Sequence, residues 1–470
     1  MNELHQKTRH ITDLILKAAC EARKETDADG GYASSGPVKW PVSCTVGPGL
    51  EGAIACESKV GYVNGIKGSL IYRGYDVFDL CAYSTFEEVS YLLLFGKLPT
   101  ASEFDIFKRE ISRYMAVPAT LRLLMSFPIE SFNAMAALRM GAHFLRREFS
   151  NVDRDDYKSD VENVIGSDED SIAMETTPRG EKRAIYEFHE KRDKKEAAED
   201  DGRYNPATGY RSCYSLIGGV ASMAAAIKRI RERHLPIEPR PDMSHAANLL
   251  YMMTGKVPTP EEERIVDVSL ILHADHGMNA STFASMVVAS TMSDMYFSVG
   301  AGIAALNGPL HGGANEQVVN MLNEIGSVDN VKKWFDSAVA EKKKIMGFGH
   351  RVYKAYDPRA RVLMPLAEYF AKTNTRLSGM FDIAKSLEKE VVNKLGKEKK
   401  IFPNVDFYSG ILYQSLGIPK EMFTPIFAVS RVSGWTARVM EYLENNRIFR
   451  PRAIYSGTFD EKYIPLRERK

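Results

Sequence analysis

The chain has 470 residues, room for two or three domains or for one large core with a smaller attached lobe. Its 62 basic and 61 acidic residues leave a net charge of +1, so no general attraction to nucleic acid is expected, and an anionic ligand must be met by local arginines. Five cysteines (Cys20, Cys44, Cys56, Cys81 and Cys213) form no CxxC pair, which speaks against a zinc–cysteine centre and for a reduced, cytoplasmic protein; no apolar run reaches the ~18 residues of a membrane span.

Residues 1–45 read as an extension. A short amphipathic piece (Ile11, Leu14, Ile15, Ala18) gives way to Gly- and Ser-rich stretches that favour loops. Between 50 and 75, Val60, Tyr62 and Val63 precede Asn64-Gly65, and Leu70, Ile71 and Tyr72 follow it. Asn-Gly adopts positive φ at little cost, so a hairpin with a tight turn is predicted. Helical signals then dominate. Thr85-Phe-Glu-Glu88 has the form of a capping box, Gly96 ends its apolar run, and Thr259-Pro260-Glu-Glu262 repeats the pattern with proline at the first helical position. The stretch 281–306 is small and apolar, suited to a buried helix or a pair of them. By contrast, 150–208 is dense in charge and poor in apolar residues, the composition of a solvated insertion. The fold class expected is mainly α with a short N-terminal β-hairpin.

Chemistry concentrates in a few islands. His273-Ala-Asp-His276 places two imidazoles three residues apart. They admit three readings: a metal site, although no His-Glu-x-x-His helix is present, two ordinary helix-end histidines, or a substrate contact through His276. His311 lies between Pro309 and Gly312-Gly313, ahead of a helical pattern running to Ile325. Near a helix N-terminus an imidazole is held neutral and can donate to a developing oxyanion; a structural histidine in a turn is the alternative. His350 follows Gly347-Phe348-Gly349 and precedes Lys354, Arg359 and Arg361, a cationic patch broken by Gly, Tyr and Pro that suits a carboxylate or phosphate. Asp406 sits between Val405 and Phe407 before another helix. It reads either as an N-cap or, if Ser409 caps instead, as a base whose pKa is raised by apolar neighbours. Arg431, Trp435 and Arg438 share a helix face, and Arg450-Pro-Arg452 follows that helix. Arginines at 359, 431 and 450 suggest a substrate with more than one carboxylate.

Five motifs in this order, HADHGMNAST (273–282), NGPLHGGANE (307–316), GFGHRVYKAYDPRAR (347–361), NVDFYSG (404–410) and the Ser430-Arg431 and Arg450-Pro-Arg452 pair, resemble the citrate synthase family over roughly 46–150 and 208–470. The resemblance implies a helical fold with a large domain at 46–312, a small domain at 313–421 and a return to the large domain at 422–470. It implies condensation of acetyl-CoA with oxaloacetate and hydrolysis to citrate and coenzyme A, with propionyl-CoA and 2-methylcitrate as the alternative and a non-catalytic regulatory homologue as a distant one. Asp406 would take the methyl proton, His311 would donate to the thioester oxygen, and His350 to the keto oxygen. His276, Arg359, Arg431 and Arg450 of the partner subunit would hold the carboxylates, which implies at least a homodimer. Gly347, Phe348 and Gly349 would face the adenine of coenzyme A and Lys354 a phosphate. No metal and no tightly bound cofactor would be needed, the thioester being a cosubstrate. The extension and the charged insertion lie outside this resemblance.

Overall fold

The computed structural model of the protein describes residues 3–25, 38–146, 206–373, 375–459 and 461–469. Apart from 206–208, which open a helix, the charged insertion lies outside the described residues. The architecture is mainly helical, with one small sheet of β1 (Gly61–Asn64), β2 (Ser69–Tyr72) and β3 (Tyr75–Asp76) in antiparallel order β1-β2-β3. The hairpin falls where Asn64-Gly65 placed it, but the connection is longer than a two-residue turn. Val63 pairs with Leu70 and Asn64 with Ser69, and the Asn64 side chain accepts from the N–H groups of Ile66 and Lys67. An asparagine that caps its own loop favours this four-residue connection.

Helix ends follow local side-chain chemistry. Pro260–His273 opens with a full capping box, Thr259 and Glu262 each satisfying the other's backbone donor. Thr100 and Glu103 form a second box at Ala101–Met115, one the sequence reading passed over. At Thr85 only half of a box forms: Thr85 accepts from Glu88 N–H, while the first helical N–H, on Phe86, donates to Asp267. The apolar 281–306 stretch is two helices, Ala280–Ser290 and Met295–Leu306.

The core centres on helix Phe423–Leu443. Its residues 423–440 are all buried, Trp435 completely, and it packs against Phe86–Phe95, Pro206–Arg231, Pro260–His273, Ala280–Ser290 and Met295–Leu306. Close approach is built in at Gly434, where a Cβ would stand 2.1 Å from the Ala274 carbonyl oxygen. A second helical group, Ala314–Ile325, Val328–Ala340, Pro358–Thr373, Thr375–Val391 and Val405–Ser415, packs largely on itself. The two groups meet where the β1–β2 loop touches residues 352–356. Lys354 N–H donates to the Gly65 carbonyl at 2.8 Å, and a Cβ on Gly65 would lie 2.1 Å from the Val352 oxygen. The amphipathic N-terminal piece is a helix, Arg9–Glu25, with Ile11 and Ile15 wholly buried in the common core. Among the described residues no helix is long and apolar enough to cross a membrane.

Candidate active site

His311 stands in the loop before Ala314–Ile325, but its ring does not use the N-terminus of that helix. Its Nε2 accepts the Ser281 backbone N–H at 3.2 Å and lies 2.8 Å from the Ser281 hydroxyl. Ser281 is in the first turn of Ala280–Ser290, whose cap is Asn279. The fold therefore supplies a different helix N-terminus from the one nearest in sequence. A lone pair on Nε2 puts the neutral ring's proton on Nδ1. Burial first and the Arg431 charge second push the His311 pKa down to about 4, and the positive helix end acts in the same direction.

His276 closes the turn after Pro260–His273. Asp275 beside it is wholly buried and holds the turn: it binds Arg438 through Nε at 2.6 Å and Nη2 at 2.8 Å, and accepts the Gly277 N–H at 3.1 Å. The Tyr72 hydroxyl on β2 donates to the Asp275 carbonyl at 2.9 Å. His276 Nε2 is 3.2 Å from the Tyr353 hydroxyl, and its ring meets His350 edge-on at 5.1 Å. Its pKa falls well below the ordinary value through burial, then Arg359, then His350. His273 is separate: Nδ1 engages the Ser269 carbonyl at 2.7 Å and the ring packs on Phe427.

The 347–359 segment is shaped by two glycines with φ of +78°, at Gly347 and Gly349, a conformation costly for other residues. Phe348 pairs with Pro403 in an antiparallel bridge and packs on Phe407 at 4.4 Å. Around it Asn404 N–H donates to Gly347 O and Gly349 N–H to Phe402 O, each at 2.9 Å. His350 Nδ1 accepts from the N–H groups of Val352 (3.0 Å) and Tyr353 (3.2 Å), which leaves the neutral ring's proton on Nε2. Burial, then Arg359, lower its pKa to about 4. Asp357 grips Arg359 with both oxygens, at 3.0 Å to Nε and 2.7 Å to Nη2. Burial works against the Arg359 charge, but this carboxylate outweighs it and raises the pKa. Arg359 Nη1 keeps no protein partner among the described residues. Lys354 is exposed.

Asp406 is the second residue of Val405–Ser415, not its cap. Asn404 caps the helix, accepting the Asp406 N–H at 3.0 Å, so neither Asp406 nor Ser409 is spent on that task. The Val405 N–H reaches Asp357 Oδ2 at 3.3 Å, tying this helix to the Arg359 segment. Burial raises the Asp406 pKa to about 6 against the pull of Arg359. Arg431 is 1% exposed; its Nε donates to the His273 carbonyl at 2.6 Å and its guanidinium stacks on Phe427 at 4.7 Å. Among the described residues no carboxylate pairs with it. Burial lowers its pKa to about 10, with Asp275 opposing and Arg359 adding to the shift.

Arg431 is the common neighbour. Its charge acts on His276, His311 and Asp406, and that of Arg359 on His276, His350 and Asp406. Six predicted site residues therefore share one electrostatic neighbourhood, in which neutral imidazoles, a half-buried carboxyl and two arginines with free donors could bind a dianion and move a proton. Two predictions fall elsewhere. Arg361 leaves the patch to pair with Glu25 on the N-terminal helix. Arg450 is exposed on the tail, and the single chain does not bring it to the others. Sequence reasoning missed Asp275, Ser281, Tyr353, Asp357 and Asn404 as organisers; Asp357-Pro-Arg359, with an acid two residues before an arginine, was the one readable signal.

A sequence model described as citrate synthase, C-terminal domain, matches residues 49–452. The chain is 40% identical over 425 residues to a citrate synthase of Deinococcus radiodurans, covering 90% of this chain and 99% of that one. It is 36% identical over 414 residues to a citrate/2-methylcitrate synthase of Bacillus subtilis, covering 87% and 96%. Its structure is similar to that of the Thermoplasma acidophilum citrate synthase in ternary complex with carboxymethyl coenzyme A and oxaloacetate, with a TM-score of 0.75 and 32% identity over 91% of this chain and 100% of that one.

Proposed function

Because the chain belongs to the citrate synthase family, we propose that it condenses acetyl-CoA with oxaloacetate and hydrolyses the thioester to give citrate and coenzyme A, an acyltransfer that forms a C–C bond. The observation that carries this reading is Arg431, a buried guanidinium with no carboxylate partner among the described residues, beside Arg359 and among imidazoles held neutral. A buried cation without a counterion is stabilised by an anionic ligand.

In this reading Arg359, Arg431 and His276 hold the oxaloacetate carboxylates. Asp406 removes a methyl proton of the acetyl group, and His311 donates from Nδ1 to the thioester oxygen as the enol forms. His350 donates from Nε2 to the keto oxygen. The tautomers derived above support both donations. Coenzyme A is a cosubstrate, its adenine set against the 347–349 backbone and a phosphate near Lys354. Residues 46–312 with 422–470 are a large domain and 313–421 a small one that closes over the substrate; the two self-packed helical groups support that division.

The enzyme works as a homodimer with Arg450 of the partner subunit completing the site. Two features support this. The tail beyond 450 exposes large apolar side chains, Ile454 at 97% and Tyr463 at 77%, and Phe297, Gly300, Ala301 and Met140 line an open groove. The free cysteines support a reducing, cytoplasmic setting, where the reaction would feed the tricarboxylic acid cycle. The test is kcat/KM with acetyl-CoA and with propionyl-CoA. One methylene discriminates by only about 1–3 kcal/mol. Acetyl-CoA is expected to be preferred; a preference for propionyl-CoA above about tenfold would make the enzyme a 2-methylcitrate synthase.

A further inference from the structure

Resting on the two-domain reading above, we propose that helix Arg9–Glu25 is a strap that spans the two domains and positions helix Pro358–Thr373, and with it Arg359, for oxaloacetate. The family match begins at residue 49, so this helix lies outside it. Yet its Ile11 and Ile15 are as deeply buried as any core residue.

At 100° per residue, its contacts fall on two nearly opposite faces. On one face Thr12 Oγ1 donates to the Ala82 carbonyl at 3.4 Å, and Arg23, three turns later, lies 3.2 Å from Asp79; both partners belong to Val77–Tyr83 of the large domain. On the other face the His10 ring is 4.9 Å from Tyr369, and Glu25 pairs with Arg361. Between these two contacts Leu14 and Ala18 look across a cavity of about 370 Å³ at Met364 and Pro365. The Glu25–Arg361 pair stands at one end of this cleft.

Pro358–Thr373 has Arg359 and Arg361 in its first turn. Arg359 serves the site and Arg361 the strap. The Arg361 guanidinium also lies over the Tyr356 ring at 4.4 Å. Tyr356 donates its hydroxyl to Glu388, which accepts from Tyr408 as well, two residues beyond Asp406. A shift of the helix against the strap would thus reach Arg359 directly and the Asp406 helix through Glu388.

The test uses the full-length chain with Glu25→Lys, and Glu25→Lys combined with Arg361→Glu to restore the pair in reverse. An exposed pair is worth little and charge reversal adds repulsion, so about a three- to fivefold rise in KM for oxaloacetate is expected, with kcat within about twofold of wild type. Hydrogen exchange across 358–373 in the unliganded protein should quicken in the single variant, and the double variant should recover both properties. Unchanged exchange in Glu25→Lys, a fall in kcat with KM unmoved, or a charge swap that restores nothing would each overturn the strap. A wild-type chain without turnover would sink the proposed function instead, and the exchange measurement would still decide the strap.

Discussion

His311 and His350 each have one ring nitrogen occupied by backbone N–H groups, so each has a single proton to give and its direction is set by the fold. Both have pKa values near 4, so above pH 5 they stay neutral and the titration that matters is that of Asp406, near 6. We expect kcat/KM to rise with pH through about 6 as the carboxylate forms, and Asp406→Asn to lose about 10²–10⁴ in kcat while binding oxaloacetate within about threefold of wild type by calorimetry. Retention of activity would remove Asp406 as the base. The sign for stability is opposite. The native pKa is raised above 3.8, so the folded chain holds the proton more tightly and stability falls as pH rises from about 4 to 6. Above pH 6 the ionised carboxylate is a cost, and because the group is half-buried the relief in Asp406→Asn should be about 1 kcal/mol at pH 7.5 and vanish at pH 4, measured by thermal melts. The site was readable at this scale where a residue announces itself beside glycine or proline, as His311 and His350 do. Asp275 and Arg438, which are 163 residues apart, could not be paired from the sequence.

At the scale of elements, two substitutions should separate stability from function. Thr259→Ala breaks a capping box at a distance from the site and should cost about 1 kcal/mol with KM unchanged. Gly434→Ala drives a Cβ against the Ala274 carbonyl, next to Asp275 and His276. It should cost about 1–3 kcal/mol and also raise KM for oxaloacetate severalfold, which a melt and a saturation curve on the same sample would show. An unchanged KM in Gly434→Ala would mean that the turn tolerates the push. Helix starts were legible because caps are local chemistry. The four-residue β1–β2 loop and the N-cap role of Asn404 were not, since a side chain choosing among several nearby N–H groups leaves no distinct spacing.

For the whole molecule, the exposed Arg450 gives the sharpest prediction. If it acts across a dimer, subunits with Asp406→Asn and subunits with Arg450→Ala are each inactive alone but should recover about one quarter of wild-type activity when dissociated and mixed, because half of the dimers are hybrid and each hybrid has one intact site. No recovery in hybrids confirmed by native mass spectrometry would confine the site to one chain. The helical class was legible from periodicity, whereas the union of residues 9–25 with the core was not, because an amphipathic segment beside flexible composition does not say what it packs on. The central position of helix Phe423–Leu443 has a biosynthetic consequence. Arg431 and the backbone at Gly434 that braces Ala274 are made after the helices they pack against, so a polypeptide terminated or clipped before residue 423 has neither the cation that holds substrate nor a finished interior. Such fragments should be degraded rather than persist as leaky thioesterases.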